Sequence, residues 1–322
     1  MELTNNPAIT EKKTFQPKHL LSSYGIVIAL ILLCIILSFT ADNFLRSENL
    51  INVLRQVSIN GILAIGMTFV IITAGIDLSV GSIVALTGVL AASFAKDETT
   101  LWLAVLIGLM SGLILGFLNG LVVARWGVAS FIVTLAMMTV ARGLTFVYSD
   151  GKPISGLSNA YLTIGKADFL GIPIPVWIFL VTFALCHFIL YHTKFGRYVY
   201  AVGGNENAAS VSGINVSLIK VLVFSISGLL AGLAGIVLSS RVSAGLPQAG
   251  TSYELDAIAA VVIGGTSLSG GRGRLWGTLV GVLIIGVVNN GLDLLNVSSY
   301  YQQIVKGCII VAAVLLDSKK SK

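Results

Sequence analysis

The sequence is poor in charge and in the residues from which catalytic centres are built. Only 11% of its 322 residues are charged, against roughly 25% in soluble domains, which excludes a soluble globular protein. Its 3 histidines are isolated, and its 3 cysteines lie in apolar segments without the spacing of a metal site or a disulfide framework. No catalytic residue and no metal ligand is therefore predicted, and an enzyme within the membrane would lack the catalytic pair that it needs.

Long apolar runs dominate the chain. Hydrophobic residues make up 56% of it, and the mean hydropathy is +0.93. The runs are continuous rather than alternating, which excludes a transmembrane β-barrel. Their lengths predict an all-α integral membrane protein, a polytopic bundle of about ten transmembrane helices. The ten segments are 21–39, 51–73, 76–94, 101–124, 128–147, 174–190, 221–239, 255–266, 275–295 and 303–316.

The net charge of +6 does not indicate a nucleic-acid partner, because the basic residues cluster at the ends of apolar segments. If the N-terminus is cytoplasmic, Lys and Arg fall mainly on the cytoplasmic side, which predicts that both termini lie there. The predicted organisation is a cytoplasmic tail at 1–20, a transmembrane domain at 21–317 and a cytoplasmic tail at 318–322. A cytoplasmic loop is predicted at 191–220 and an outer loop at 148–173.

The stretch Gly75-Ile76-Asp77-Leu78-Ser79-Val80-Gly81 places a carboxylate inside an apolar run. A charge there is unfavourable in lipid and is expected to face protein or water. One interpretation is a proton or sodium site, which would make the protein an ion-coupled transporter. The other is a carboxylate that bonds backbone amides at a helix start and holds a sharp junction. We favour the second, structural or gating, role because Asp77 is surrounded by glycines and hydroxyls.

The segment from Gly203 to Gly213 predicts a short exposed helix. Gly203-Gly204 predicts a turn, Asn205 is a good helix cap, and Glu206 suits the first helical turn. Such a short helix is not stable alone, so we expect it to dock on another protein. The sequence has no phosphate-binding loop with which to bind a nucleotide itself.

Three stretches resemble the membrane permeases of bacterial ABC monosaccharide importers. They are the run from Gln56 to Ser82, the loop from Lys194 to Asn207, and the run from Tyr253 to Leu268 followed by Gly270-Gly271. The resemblance implies a multi-pass permease of the inner membrane that imports a monosaccharide, with ribose favoured. It also implies three partners: a second copy of this chain, a periplasmic sugar-binding protein and a cytoplasmic ATPase subunit. ATP and Mg would be held by the ATPase, and this chain would bind no cofactor.

The resemblance also assigns roles to residues. The coupling helix that engages the ATPase would comprise Gly203, Gly204, Asn205, Glu206, Asn207, Ala208, Ala209 and Gly213. An uncharged sugar needs small hydrogen-bonding groups rather than fixed charges, so the expected pathway or gate residues are Asn60, Gly75, Asp77, Ser79, Gly81, Asn289 and Asn290. The alternative is an ion-coupled secondary sugar transporter that uses Asp77.

Overall fold

The computed structural model describes residues 17–320, without the side chains of 17–24, 313 and 316–320. The regular secondary structure of the described chain is α-helical apart from one minimal hairpin and a 3-10 turn at Glu98–Thr100. The helices are α1 (Pro17–Thr40), α2 (Ser47–Ile72), α3 (Val80–Phe94), α4 (Leu101–Trp126), α5 (Ser130–Ser149), α6 (Asn159–Lys166), α7 (Ile174–His192), α8 (Lys194–Gly204), α9 (Glu206–Val211), α10 (Val216–Val242), α11 (Tyr253–Ile263), α12 (Leu275–Leu294) and α13 (Ser299–Lys320). Strands β1 (Asp168–Phe169) and β2 (Ile172–Pro173) pair antiparallel between α6 and α7.

Each of the ten predicted segments falls on one of these helices, and the all-α prediction is confirmed. Among the described residues, six helical stretches are long and apolar enough to cross a membrane: α2, α4 with its preceding 3-10 turn, α5, α7, α10 and α12. The described part of α1 and the whole of α3 are apolar but shorter, and α11 has only 11 residues. The count of ten crossings stays a prediction. Of the two predicted tails, residues 1–16 and 321–322 lie outside the described residues.

Contacts between loops define two ends of the bundle. At the first, here called the α8 end, the Gly271 amide donates to the Ile72 carbonyl and the Tyr200 hydroxyl donates to the Gly273 carbonyl, both at 2.8 Å. At the opposite, α6 end, the Ser158 amide donates to the Ala95 carbonyl at 2.8 Å. The charge count predicts that the loops of each group lie on the same side of the membrane. Which end faces the cytoplasm stays a prediction.

The predicted turn at Gly203-Gly204 is wrong, because α8 continues through both glycines. The chain leaves the helix at Asn205, which is extended, with φ −163° and ψ 107°. Gly203 serves close packing instead, since a Cβ there would collide with the Ile72 carbonyl and lie 2.7 Å from the Gly271 amide nitrogen. The two glycines therefore allow the end of α8 to pack closely against Ile72 and Gly271, and they do not reverse the chain.

Helix α10 lies at the centre of the bundle and packs on α4, α3 and α2. Glycines allow α4 and α10 to approach closely. A Cβ on Gly116 would lie 2.9 Å from the Gly228 Cα, and a Cβ on Gly228 would lie 2.7 Å from the Gly116 Cα. Small residues at a helix contact give dense packing in a membrane, where apolar surface alone does not drive association.

A Gly116→Val substitution is expected to push α4 away from α10 and lower the thermal unfolding midpoint in detergent. Overpacking of this kind destabilises a core by about 1–3 kcal/mol or more. Gly25→Val is the control, because no atom of the described part of the chain lies within 4 Å of a Cβ placed on Gly25 in α1. Equal unfolding midpoints for the two variants would contradict the proposed close contact.

Candidate functional site

The polar stretch predicted between two spans forms a non-helical junction, residues 73–79, between α2 and α3. Ala74 adopts a left-handed conformation with φ 59°, and its amide donates to the Ile71 carbonyl at 2.9 Å. The Gly75 amide donates to the Val70 carbonyl at 3.0 Å. This is a Schellman-type helix end, which satisfies the last carbonyls of α2 and turns the chain sharply.

Asp77 is fully buried in this junction and accepts three hydrogen bonds. Its Oδ1 accepts from the Ser79 amide at 3.0 Å and from the Ser79 hydroxyl at 2.6 Å, and its Oδ2 accepts from the Ser227 hydroxyl of α10 at 2.8 Å. The Asn119 amide group of α4 donates to the Ser79 hydroxyl at 2.9 Å. Asp77 thus ties the start of α3 to α4 and α10.

The backbone of the junction is held from the other side by α5. The Ile76 amide donates to the Ser130 hydroxyl at 3.0 Å, and the Leu78 amide donates to the Thr134 hydroxyl at 3.1 Å. The Thr134 hydroxyl is also 3.2 Å from the Ile76 carbonyl, within hydrogen-bond reach. Non-helical backbone is tolerated inside a membrane only where protein or water satisfies it. Hydroxyl groups of α5 satisfy it here.

The chemistry of Asp77 is that of a structural clamp. No ion pair reaches it from the described residues, and within that part of the chain no cluster of three or more His, Cys, Asp or Glu side chains could hold a metal. Its neighbours are neutral hydroxyl donors. These hydrogen bonds, together with the bond that Asn119 donates to Ser79, fix the start of α3 relative to α4 and α10.

Gly81 and Gly75 serve this junction by lacking side chains. A Cβ on Gly81, the second residue of α3, would collide with the Gly250 carbonyl and the Glu254 carboxylate. A Cβ on Gly75 would lie 3.1 Å from the Val70 side chain and 3.4 Å from the Phe224 ring. The absence of a side chain at Gly81 therefore allows the segment that precedes α11 to pack against the start of α3.

A second polar cluster lies between α11, α12 and α13. The Lys306 ammonium and the Asp256 carboxylate form an ion pair at 3.0 Å, with the two side chains 18% and 3% exposed. The side-chain NH₂ group of Asn289 donates to the same carboxylate at 3.3 Å. The cluster joins α13 to the bundle and leaves the Asn289 Oδ1 without a hydrogen-bond donor among the described residues.

The other two predicted asparagines lie apart from Asp77. Asn290 exchanges two hydrogen bonds with Asn49 of α2, at 2.7 and 3.0 Å. Asn60 is buried in α2, and its Oδ1 finds no donor in the part of the chain that is described. The structure therefore brings Gly75, Asp77, Ser79 and Gly81 together, and places Asn60, Asn289 and Asn290 elsewhere.

The predicted exposed helix is α9, at the α8 end. Asn205 caps it by accepting from the Ala208 amide at 2.9 Å, and Gly213 follows it with φ +83°. Glu206 is ion-paired with Lys220 in the first turns of α10, at 2.7 and 2.8 Å. Of the remaining residues of the predicted coupling set, Gly204, Asn207 and Ala208 are exposed, and Ala209 is buried.

A cavity of about 210 Å³ separates α9 from the junction. Glu206 and Lys220 line one side of it, and Gly75 and Ser130 line the other. Helix α10 carries both Lys220 and Ser227, so it links the exposed helix α9 to the junction.

Tyr200 joins the neighbouring α8 to the loop before α12. Burial raises the pKa of Tyr200 above its usual value, and its hydroxyl donates a hydrogen bond to that loop.

A model of the family described as the permease component of branched-chain amino acid transport systems matches residues 49–314. The chain is 51% identical over 312 residues to a ribose import permease protein of Haemophilus influenzae, which covers 96% of this chain and 97% of that protein. It is 52% identical over 314 residues to one of Bacillus subtilis (97% and 98%) and 53% over 298 residues to one of Escherichia coli (91% and 93%). The chain belongs to this family of transport permeases. No solved structure matches it significantly.

The resemblance inferred from the three motifs is confirmed by this membership. The permease is a component of a transport system and not an enzyme. Its apolar helices make it a multi-pass protein, and the inner membrane of a bacterium is its location.

Sequence reasoning missed the partners that hold the junction of the permease. Asn119, Ser130, Thr134 and Ser227 are four of several polar residues in the predominantly apolar helices α4, α5 and α10. A polar side chain within a membrane needs a hydrogen-bond partner, and that need is a signal. The sequence does not say which partner each of them has.

Proposed function

We propose that this chain is the membrane permease of an ATP-driven importer that carries ribose from a periplasmic binding protein to the cytoplasm. One observation carries the proposal: more than half of the residues are identical to ribose import permeases over at least 91% of the chain. The ATPase that drives import is a separate subunit, which holds ATP and Mg.

Uptake of labelled ribose by cells tests this function. Deletion of the chain should abolish high-affinity ribose uptake, and expression from a plasmid should restore it while the natural ATPase and binding protein are present. Uptake of a sugar carried by an unrelated system is the control. Ribose uptake that is unchanged by the deletion would refute the proposal.

The ion-coupled alternative is not favoured. Asp77 is fully buried, and its three partners are hydrogen-bond donors. A coupling site needs a carboxylate that exchanges a proton or a cation with water on alternate sides of the membrane. We therefore assign Asp77, with Gly75, Ser79 and Gly81, a structural or gating role as a junction that holds the start of α3 against α4 and α10.

We infer that α9 is the coupling helix that docks on the ATPase. Its six residues lie at one end of the bundle, between the glycine-rich end of α8 and Gly213. The Glu206–Lys220 ion pair links it to α10, and Ser227 lies on the same face of α10 because seven residues make about two helical turns. Movement of α9 would thus reach Asp77 along one rigid helix.

An Ala208→Arg substitution should weaken the association of the permease with its ATPase. Ala208 is exposed on α9, so a long cationic side chain would keep the fold but prevent close docking. Ser155→Arg is the matched control, because Ser155 is exposed at the opposite end of the bundle. Copurification of the ATPase with each variant measures the effect, and equal yields would show that α9 does not dock.

The remaining assignments are also proposals. We propose that two copies of the permease form the transport unit, as the resemblance implies. Asn60, Asn289 and Asn290 would be pathway residues; two of them carry a buried oxygen without a donor among the described residues. Such an oxygen is available to a sugar hydroxyl.

A further inference from the structure

A cavity of about 490 Å³ lies between α3, α5 and the segment that joins α10 to α11. Its volume falls within the roughly 300–1,000 Å³ typical of sites for small molecules. Hydroxyl groups, one guanidinium and one carboxylate line it, together with apolar side chains. The polar residues are Ser82, Thr139, Arg142, Thr251, Ser252 and Glu254.

Two interrupted helical paths meet at this cavity. The chain is non-helical at 73–79 before α3, and it has no regular helix from 243 to 252 before α11. In the second segment Ser243, Gly250 and Ser252 have positive φ values of 61°, 70° and 66°. This conformation is ordinary for Gly250 but sparsely populated for Ser243 and Ser252, and non-glycine residues that adopt it cluster at ligand sites. The first turns of α3 and α11 contribute Ser82 and Glu254 to the lining.

Along the bundle axis, the cavity lies between the two ends and not at either of them. Asp77, just before α3, contacts Ser227, which is about 16 Å along α10 from its first residue. Asp256, in the first turn of α11, contacts Asn289, which is about 21 Å along α12. A bilayer core is about 30 Å thick. Non-helical backbone at that depth is tolerated where it is buried in protein or lines a water-filled cavity.

The two ionisable residues suit a neutral polyhydroxyl ligand. The Arg142 guanidinium donates to the Pro247 and Ala249 carbonyls, both at 2.8 Å, and so fixes the non-helical segment. Glu254 supplies acceptors beside it. Sugar hydroxyls donate and accept, so a lining of hydroxyls with one fixed donor group and one acceptor group matches them without requiring a charged ligand.

We propose that this cavity is the site through which the uncharged monosaccharide passes within the membrane. The inference rests on the proposed function and names its site, in which Arg142 positions the wall and Glu254 contacts the sugar. The cavity opens beside the apolar face of α5, where Leu135, Val140 and Val147 are exposed. Because a polar opening toward lipid is unfavourable, the second copy of the permease covers it.

Filling the cavity tests the proposal. No atom of the described residues lies within 4 Å of a Cβ on Gly143, which lines the cavity, so the side chain of Gly143→Trp starts in open space and its ring should fill part of the cavity. Ribose uptake should fall at least tenfold. Gly307→Trp is the control, because Gly307 in α13 is equally unobstructed and lies outside the cavity. Both variants are checked for assembly with the ATPase, and an assembled Gly143→Trp permease with normal uptake would overturn the proposal.

A second measurement decides the question if Gly143→Trp fails to assemble. With Cys34, Cys186 and Cys308 replaced by serine, Thr139→Cys should react with a sulfonated, membrane-impermeant methanethiosulfonate reagent, and the reaction should block uptake. Val140→Cys, which is exposed on α5 but outside the cavity, should not react. An unreactive Thr139→Cys, or a reaction that leaves uptake unchanged, would show that the cavity is not on the path. Absence of ribose uptake by the unaltered permease would refute the function itself.

Discussion

Replacing Asp77 by alanine is expected to abolish ribose uptake and to lower the stability of the permease markedly. The change removes the acceptor of three hydrogen bonds and leaves the hydroxyls of Ser79 and Ser227 buried without it. Leaving a buried donor without its acceptor costs about 1–3 kcal/mol. The start of α3 would then be free to move relative to α4 and α10. Uptake and the thermal unfolding midpoint in detergent measure the two effects.

Asp77→Asn separates the structural role from ion coupling. The amide retains one acceptor oxygen and nearly the same shape, and the Ser227 hydroxyl can accept from its NH₂ group. We expect this variant to keep most of the uptake that alanine abolishes. If Asp77→Asn stayed folded and still lost all uptake, the charge itself would be essential, and the clamp would not explain the role of Asp77.

Lys306→Met has the second large expected effect. It leaves the Asp256 carboxylate, which is 3% exposed, with Asn289 as its remaining side-chain partner. Removing one partner of a buried ion pair costs about 3–5 kcal/mol. We expect α13 to separate from the bundle and the yield of monodisperse permease in detergent to fall sharply.

The double variant Asp256→Asn with Lys306→Met supplies the control for that prediction. With both charges removed, no unpaired ion remains buried, so stability should return in large part. A double variant that is less stable than Lys306→Met alone would mean that the ion pair is not the source of the effect.

The elements that the sequence predicts best are those that depend on local pattern. Apolar runs of about 20 residues located the long helices because a bilayer imposes that length. Asn205 was predicted as a helix cap and is one, since capping depends on neighbours within three residues. Gly203-Gly204 was predicted as a turn and is helical, because its close contact is with Ile72 and Gly271, which are distant in sequence.

In the candidate site, too, the sequence predicts the local features and not the contacts between distant residues. Asp77 could be identified as an unusual carboxylate, and its bond to Ser79 is local. Its bond to Ser227 joins residues 150 positions apart, and no local pattern encodes that distance. The cavity beside Glu254 likewise depends on two non-helical segments that meet only after the bundle has folded.

The most direct test of ATP-driven ribose import uses proteoliposomes that contain the permease and its ATPase. The ribose-binding protein and labelled ribose are added outside, and ATP is enclosed inside. Ribose should accumulate when ATP is present, with every ion gradient collapsed by ionophores, and ADP should not support accumulation. Accumulation that needs a proton or sodium gradient and ignores ATP would contradict this account and restore Asp77 as a coupling site.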